Sequence, residues 1–180
     1  MIIEQESPNT VKNYLDLSRI EKGELSVRKR QVNFEDIIIQ SEDTFLKQIS
    51  EKEIILENKI PKTLKIFADK DLMITVYNNL LSNAIKYGAK GGRIILDYKY
   101  IGESILFSVY NDGVSITQTE KDSLFEKFSR LTTEKNKKIA GTGLGLFITK
   151  EIIENHGGKI WVEPKERGNE FIFEIKKGGK

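Results

Sequence analysis

The sequence lacks cysteine entirely and contains one histidine and three prolines among 180 residues. Without cysteine there are no disulfides, thiolate metal sites or cysteine nucleophiles, and the composition suits a reducing compartment. The scarcity of histidine leaves His156 as the one imidazole of the chain. A hydrophobic content of 38% over 180 residues is enough for one domain with its own core, so the fold needs no covalent cross-links.

A strong net charge and long apolar runs are also absent. The 29 basic and 27 acidic residues give a formal net charge of +2, which predicts no global attraction to nucleic acid or to an anionic membrane. No apolar run approaches the roughly 18 residues of a membrane span, and no signal peptide precedes the first polar residues. We therefore expect a cytoplasmic segment without nucleic-acid or membrane contact, which can be the cytoplasmic part of a longer membrane-bound protein.

What the sequence does contain is an unusual predicted helix at residues 69–88. Asn79 and Asn83 are four residues apart and lie one above the other on one face, and Lys86 and Tyr87 follow one turn later. The other face is apolar, which predicts packing against a sheet. It comprises Leu72, Met73, Val76, Tyr77, Leu80, Leu81, Ala84 and Ile85. Taken alone, the amides can equally be the solvated side of a surface helix.

Periodicity, capping residues and glycine turns predict the rest of the fold. Asn33 and Asp69 are expected as N-caps, and Gly88 as a helix stop. Helices between paired antiparallel strands, without regular βαβ alternation, indicate the α+β class: an α/β sandwich in which helices cover one face of a mixed, mostly antiparallel sheet. Helices are expected at residues 7–22, 34–52 and 118–128 and from the glycine run to near His156, and strands at residues 25–32, 54–58, 64–68, 93–101, 104–111, 159–163 and 170–177.

Two segments are expected to do more than connect elements. The first helix carries an apolar stripe too long to remain exposed, so it should pack on something outside the main domain, most simply a partner helix. The polar run at residues 132–138 is long enough to be a functional or mobile loop.

The run GTGLGL at residues 141–146 is the second feature that can carry chemistry. It has neither the GxxxxGK[ST] spacing of a P-loop nor the position of a Rossmann GxGxxG after a first strand. Its small residues nonetheless let backbone N–H groups approach an anion, and the helix that begins there directs its positive end to the same place. The alternative is a flexible hinge, although three alternating glycines are costly at a helix start.

Five motifs follow one another along the chain. They are LDLSRIEKGEL (residues 15–25), NLLSNAIKYG (79–88), NDGVSI (111–116), LFEKFSR (124–130) and GTGLGL (141–146). The last four resemble, in order, the asparagine box, first glycine box, phenylalanine box and second glycine box of the catalytic, ATP-binding domain of sensor histidine kinases, a Bergerat-type fold shared with gyrase-like ATPases. The first resembles the end of the second helix of the family's dimerisation hairpin. The resemblance divides the chain into a hairpin fragment, residues 1–23, and a catalytic domain, residues 24–178.

The resemblance implies that the chain binds ATP and Mg²⁺. Asn83 is the expected Mg²⁺ ligand, and Asn79 is expected to support the metal or a phosphate; an amide oxygen is a reasonable hard ligand. Phe125 and Phe128 are expected to hold the lid. The remaining expected ATP-binding residues are Lys86, Tyr87, Asn111, Gly113, Ile116, Phe128, Arg130, Gly141, Thr142, Gly143, Leu144, Gly145 and Leu146.

Two residues depart from the family's pattern at the adenine end. Asn111 stands where the family usually has Asp, whose carboxylate accepts a hydrogen bond from the adenine amino group. An Asn oxygen can accept the same bond without charge assistance, or its amide can donate to a ring nitrogen. Ser115 replaces a glycine that is usual in the family. The phosphate end, by contrast, matches the pattern.

The resemblance implies a two-component function, in which the ATP γ-phosphate is transferred to a histidine on a dimerisation domain absent from this chain. His156, in the turn that ends the last helix, is expected to be structural, so no catalytic residue is assigned and self-phosphorylation is not expected. The expected partners are the protein's own dimerisation and phosphoacceptor domain and a cognate response regulator. The full-length protein is expected to be a homodimer, and this segment alone a monomer.

Three alternatives remain open. An ATP hydrolase of the same fold needs a base to activate water, and gyrase-like members carry Glu where Asn79 stands, so hydrolysis should be slow. A nucleotide-gated interaction module would use ATP only to order the lid and dock a partner. A serine kinase acting on an anti-sigma partner is disfavoured for the same reason as the hydrolase.

Overall fold

The computed structural model describes residues 10–129 and 141–178, so Arg130 and the predicted loop at residues 132–138 lie outside the described residues. No helix within the described ranges is both long and apolar enough to cross a membrane. The helices are α1 (Thr10–Glu21), α2 (Phe34–Glu51), α3 (Lys70–Tyr87), α4 (Gln118–Ser123) and α5 (Gly145–Asn155). The strands are β1 (Arg30–Asn33), β2 (Ile55–Asn58), β3 (Lys65–Ala68), β4 (Arg93–Ile101), β5 (Ser104–Asn111), β6 (Lys159–Pro164) and β7 (Asn169–Lys176).

Five of the strands form a mixed sheet in the order β2-β4-β5-β7-β6. β2 runs parallel to β4, and the other three neighbouring pairs are antiparallel. α3 and α5 pack on this sheet, and α2 packs on α3. The predicted class, a mixed and mostly antiparallel sheet covered by helices, is confirmed. Gly102 has a φ of +54° in the tight turn between β4 and β5, a conformation that glycine adopts without strain.

The strand predicted at residues 25–32 is wrong in its extent. β1 covers only Arg30–Asn33 and pairs antiparallel with β3 in a separate two-stranded sheet. Alternation along a strand does not reveal its partner, so this second sheet was not predictable from the pattern. Asn33 precedes α2 as predicted, but its side chain makes no capping hydrogen bond. The helix predicted at residues 118–128 is also shorter, because α4 ends at Ser123.

Stacked aromatic side chains form the centre of the core between the helices and the sheet. The Phe34 ring centroid lies 4.3 Å from that of Phe107, which lies 5.2 Å from that of Phe173. Tyr77 of α3 meets Phe34 edge-on at 5.3 Å and is fully buried, as its place on the apolar face predicts. Such ring pairs contribute about 0.5–1.5 kcal/mol each beyond the burial of their area. They hold α3 against the sheet and thereby fix the direction of its polar face.

Both ends of α3 are fixed by side chains. The Asp69 carboxylate accepts hydrogen bonds from two backbone N–H groups of the first turn, which confirms the predicted N-cap. At the other end Lys52, which follows α2, donates to the backbone carbonyls of Ile85 and Lys86, where a cation is also favoured by the helix dipole. Gly88 follows as the C-cap residue.

α1 divides its side chains between the domain and solvent. Leu17 is buried together with the polar side chains of Asn13 and Asp16, on the side of α1 that contacts α5. Val11 and Leu15 lie on the other side and are 66% and 59% exposed. The sequence predicted that the apolar stripe of the first helix packs on something outside the domain. The structure corrects this in part: Leu17 packs within the domain, and the outer side, with Val11 and Leu15, remains for an external contact.

Candidate functional site

The polar face of α3 forms one wall of a pocket. Asn79 and Asn83 lie on this face one turn apart, Lys86 and Tyr87 follow at its C-terminal end, and all four line the pocket. Asn79 is 3% exposed, and its Nδ2 donates to the backbone carbonyl of Gly145 in α5 at 3.1 Å. The amide row therefore faces a cavity between two helices rather than bulk solvent.

The glycine run forms the opposite wall at the N-terminal end of α5. The helix begins at Gly145, so Gly141 and Gly143 precede it outside regular secondary structure. Gly143 has a φ of +72°, and a Cβ added there would lie 2.7 Å from the carbonyl carbon of Phe128. The side chain of Leu144 is fully buried beneath the pocket and does not line it. The run that lines the pocket consists of Gly141, Thr142, Gly143, Gly145 and Leu146.

Two buried amides shape the far end of the pocket. Asn111, at the end of β5, is 2% exposed and donates from Nδ2 to the Asp112 carbonyl at 3.2 Å. This bond uses one of the two Nδ2 hydrogens, so Asn111 keeps an acceptor at Oδ1 and a second N–H donor, and both roles left open for it fit the structure. Asn169 of β7 accepts from the Ile116 N–H at 2.8 Å and donates to the Val114 carbonyl at 2.9 Å. Asn169 thereby fixes the loop that follows β5.

The carboxylate of Asp112 is held by neighbouring donors. It accepts from the Tyr110 hydroxyl at 2.6 Å and from the Arg93 N–H at 3.0 Å. The Tyr110 hydrogen bond in particular holds the pKa of Asp112 below its usual value, against the opposing effect of burial. The next residue, Gly113, forms an isolated β-bridge with Gly88, which joins this loop to the end of α3.

Most of the predicted ATP-binding residues lie around one pocket, and three do not line it. Phe128 is 61% exposed and has a φ of +59°. Gly113 packs against the end of α3 instead, where a Cβ added to it would lie 2.5 Å from the backbone oxygen of Tyr87. Phe125 packs edge-on against Phe171 at 6.5 Å, so Phe125 is the aromatic residue that joins this motif to the domain. Leu144 belongs to the core. The predicted residues that line the pocket are Asn79, Asn83, Lys86, Tyr87, Asn111, Ile116, Gly141, Thr142, Gly143, Gly145 and Leu146.

The pocket also contains residues that the sequence did not indicate. Asn169 pairs with Asn111 in the register of β5 and β7, so its position depends on a strand pairing between distant segments. Asn13 belongs to α1, and no local pattern could place that helix beside the pocket. The lining residues outside the predicted ATP-binding set are Asn13, Val114, Ser115, Glu120, Leu124, Ser129, Asn169 and Phe171. Four of these, Val114, Ser115, Leu124 and Ser129, lie within the motifs quoted above but were not assigned to the site.

The polar groups of the pocket suit phosphate and a hard cation. Lys86 and the N-terminal end of α5 supply positive charge. The described residues contain no cluster of three His, Cys, Asp or Glu side chains. A divalent cation here would therefore take amide oxygens of Asn79 and Asn83 with phosphate and water oxygens, a donor set typical of Mg²⁺. One oxygen of the Glu120 carboxylate, Oε2, accepts hydrogen bonds from the Thr117 N–H and hydroxyl groups at 2.8 and 2.7 Å.

His156 lies at the far end of α5, away from the pocket, and is 2% exposed. Its Nδ1 is 2.7 Å from the Ile152 carbonyl, which requires the proton on Nδ1, and its Nε2 accepts from the Asp69 N–H at 3.1 Å. Lys29 donates to the His156 carbonyl at 2.8 Å. Burial lowers the pKa of His156 below its usual value. The ring thus joins α5 to the start of α3.

An asparagine-bearing helix that faces a glycine-rich helix start over a mixed sheet is the arrangement of Bergerat-type ATP-binding domains. The family described as histidine kinase-, DNA gyrase B-, and HSP90-like ATPase matches residues 68–179. The chain belongs to this family, as the ATP-binding catalytic domain of a sensor histidine kinase.

Three comparisons illustrate the relationship. The circadian input-output histidine kinase CikA of Synechococcus elongatus is 32% identical over 156 residues, which cover 85% of this chain and 21% of that protein. The catalytic domain of histidine kinase ThkA superposes with a TM-score of 0.72 at 33% identity, covering 83% of this chain and 96% of that one. ThkA in complex with response regulator protein TrrA superposes with a TM-score of 0.72 at 26% identity, covering 98% of this chain and 54% of that one. The chain spans 21%, 28% and 50% of the length of three curated relatives.

Proposed function

We propose that the chain binds Mg²⁺-ATP in this pocket and transfers the γ-phosphate to a histidine on a separate dimerisation segment of its own protein. The observation that carries the proposal is the meeting of the amide row of α3 with the glycine-rich start of α5 in one pocket. The one histidine of the chain, His156, is buried outside this pocket. The acceptor therefore comes from another segment.

Phosphoryl transfer depends mainly on positioning and charge neutralisation. Asn83 and Asn79 hold Mg²⁺ through amide oxygens, and the cation offsets phosphate charge. Lys86 and the backbone N–H groups of residues 141–145 bind phosphate oxygens. The pocket thus supports the triphosphate while the acceptor histidine approaches from outside.

The adenine lies at the other end of the pocket. The Asn111 Oδ1 accepts a hydrogen bond from the adenine amino group, in place of the carboxylate usual in the family. Ile116 and Phe171 provide apolar surface for the ring, and Asn169 fixes the loop that carries Ile116. A neutral acceptor forms a weaker bond than a carboxylate, so affinity for the base depends more on packing.

The proposal also covers the rest of the protein. Residues 1–23 are the end of a dimerisation hairpin, and residues 24–178 are the catalytic domain. The exposed side chains of Val11, Tyr14 and Leu15 are the contact surface for the other helices of a dimeric hairpin. The neighbour solved with a response regulator supports a response regulator as the recipient of the phosphate.

The decisive experiment supplies a histidine-bearing helical hairpin separately, together with Mg²⁺ and ATP labelled at the γ-phosphate. The proposal expects acid-labile label on the hairpin, and no label when EDTA removes Mg²⁺. ATP binding without transfer would instead favour a nucleotide-gated interaction module. Absence of ATP binding would contradict the whole assignment.

A first prediction concerns the metal ligand. Asn83→Ala should abolish the Mg²⁺-dependent part of ATP affinity while the fold persists, because it removes an amide oxygen from a partly buried pocket position. Calorimetric titration with and without Mg²⁺ measures the effect. Asn155→Ala, at an exposed asparagine at the end of α5, is the matched control and should bind as the parent does. Unchanged Mg²⁺ dependence in Asn83→Ala would remove the assignment.

The interaction module is the second candidate because one observation favours it. Asn13 of α1 lines the pocket, and α1 packs on α5, so occupancy of the pocket is physically connected to the position of α1. ATP hydrolysis is less favoured. An amide at Asn79 takes no proton, and the Glu120 carboxylate is held by Thr117.

A further inference from the structure

We propose that Thr149 is a positioning residue for the phosphate end of the site. Its hydroxyl group fixes the side-chain amide of Asn79 so that the amide oxygen is directed to the pocket. This inference rests on the proposed function, because it assigns the pocket to ATP and Mg²⁺.

Thr149 lies one turn into α5 and is completely buried. Its hydroxyl donates to the carbonyl of Gly145, four residues earlier, at 2.8 Å. The Nδ2 atom of Asn79, on α3, lies 3.1 Å from the same carbonyl oxygen and 3.3 Å from the Thr149 hydroxyl oxygen. Three polar groups from two helices therefore meet at one buried point beside the pocket.

The chemistry of this point allows only one arrangement. A threonine hydroxyl has one hydrogen, and Thr149 gives it to the Gly145 carbonyl. The hydroxyl oxygen and the carbonyl oxygen are then both acceptors toward Asn79. The Asn79 side chain must place its NH₂ group there, where both oxygens act as its acceptors.

The oxygen of the Asn79 side chain is the polar atom that remains for a ligand. It lies beside the first residue of α5, since a Cβ added to Gly145 would be 3.4 Å from Asn79 Oδ1, and both residues line the pocket. Phosphate oxygens are acceptors and would not hydrogen-bond to another acceptor. Asn79 therefore serves a cation or a cation-bound water, and not a phosphate oxygen directly.

A threonine hydroxyl that bonds to the carbonyl four residues earlier is common in helices and by itself implies only a local role. The second partner distinguishes Thr149. Without its hydroxyl, the Asn79 NH₂ group loses one of its two acceptors, and with it a contact that favours one orientation of the amide. The effect should therefore appear in metal-dependent binding, where the amide oxygen acts, and not at the adenine end.

The test compares Thr149→Val, which keeps the shape but removes the hydroxyl, with Thr149→Ser, which keeps the hydroxyl. Affinities for ATP with Mg²⁺, ATP in EDTA and adenosine are measured on the full chain by calorimetry. We expect Thr149→Val to weaken Mg²⁺-ATP binding about fivefold, the value of one hydrogen bond. Adenosine affinity should be unchanged, ATP affinity in EDTA should change less, and Thr149→Ser should bind Mg²⁺-ATP within about twofold of the parent.

Three results would overturn the inference: parental Mg²⁺-ATP affinity in Thr149→Val, an equal loss for adenosine, or a serine variant as weak as the valine variant. If Thr149→Val does not fold, Thr149→Ala receives the same measurements and the same criteria. Failure of the parent chain itself to bind ATP would contradict the proposed function. The two failures are therefore distinguishable.

Discussion

Two glycines in the same run are required for different physical reasons. Gly143 combines a φ of +72° with an approach to the backbone of Phe128 that leaves no room for a Cβ. It therefore holds the phenylalanine-box segment against the start of α5. Gly141 shows neither constraint: the nearest heavy atom to an added Cβ is the Lys86 Nζ, 4.0 Å away. Gly141 lines the pocket beside that ammonium group, so the absence of a side chain there serves only to leave room for a ligand.

This difference gives a matched pair of variants. Gly143→Ala should lower Mg²⁺-ATP affinity about tenfold, because the free variant relieves a left-handed strain of about 1–2 kcal/mol and the contact with the Phe128 backbone by leaving the conformation that forms the pocket wall. Gly141→Ala should retain most of the affinity. Calorimetric titration of both variants checks the prediction. Equal losses in the two would show that the run is constrained by the ligand alone and not by its contact with Phe128.

At the scale of elements, the contact of α1 with α5 contains an unfavourable group. The Asp16 side chain is 3% exposed, and its Oδ2 has no hydrogen-bond partner among the described residues. Its other oxygen lies 3.9 Å from the Arg19 guanidinium. Burial raises the pKa of Asp16, and the charges of Lys12 and Arg19 only partly oppose that. The contact of α1 with α5 therefore buries a poorly paired carboxylate, which makes this contact less stable than one with a neutral side chain there.

Neutralising this carboxylate should stabilise the fold. A carboxyl whose pKa is raised on folding takes up protons more readily in the folded state, so stability rises as the pH falls through the folded pKa toward the unfolded one. Asp16→Asn should raise the free energy of unfolding by about 1 kcal/mol at pH 7, and the gain should shrink as the pH is lowered. Thermal unfolding of the parent and variant from pH 7 to pH 4 measures this.

The control for Asp16 is Asp122→Asn, at an exposed aspartate of α4, which should have almost no effect at either pH. A destabilised Asp16→Asn variant would mean that the carboxylate contributes a favourable contact to the interface of α1 with α5.

At the scale of the whole molecule, α3 and α5 are joined at two points. At the pocket, the Asn79 amide donates to the Gly145 carbonyl. At the other end, His156 after α5 accepts from the Asp69 N–H before α3. The two helices that hold opposite sides of the ligand thus form a pair with both ends fixed. Protonation of His156 would remove one of these connections.

The single histidine makes this connection measurable through pH. Burial lowers the pKa of His156 in the folded state, so the unfolded chain binds a proton first as the pH falls below about 6.5. The free energy of unfolding should therefore decrease there, by at most about 1.4 kcal/mol per pH unit from this group. Denaturant unfolding of the parent between pH 5 and pH 7.5 should show the slope.

His156→Asn should be less stable at pH 7, because it loses the hydrogen bonds of the ring with the Ile152 carbonyl and the Asp69 N–H. Because asparagine takes up no proton, the free energy of unfolding of the variant should not decrease between pH 6.5 and pH 5. Persistence of the same slope in the variant would assign the effect to carboxylates. Lys29 and Asp69, the charged residues that also affect the pKa of His156, are the same in the parent and the variant. The difference in slope between the two proteins therefore reports the titration of His156.

The sequence predicted local features that depend on neighbouring residues. The amide row of α3, its Asp69 cap, the hairpin of β4 and β5 and the glycine run before α5 are set by periodicity, capping and conformational freedom, all of which act within a few residues. The five motifs gave the family, which the match to residues 68–179 shows. The expected meeting of Asn79 and the glycine run rested on that resemblance.

The tertiary structure decided what depends on distant segments. Pairing of β7 with β5 brought Asn169 beside Asn111, and docking of α1 brought Asn13 to the pocket. Packing of α3 on α5 placed Thr149 against Asn79 and so chose the orientation of its amide. Hydrogen bonds between residues far apart in sequence leave no periodic signal, because their geometry exists only once the core has packed. The sequence by itself thus determined that Asn79 lies on the polar face of α3, and the fold determined which of its two polar atoms meets the ligand.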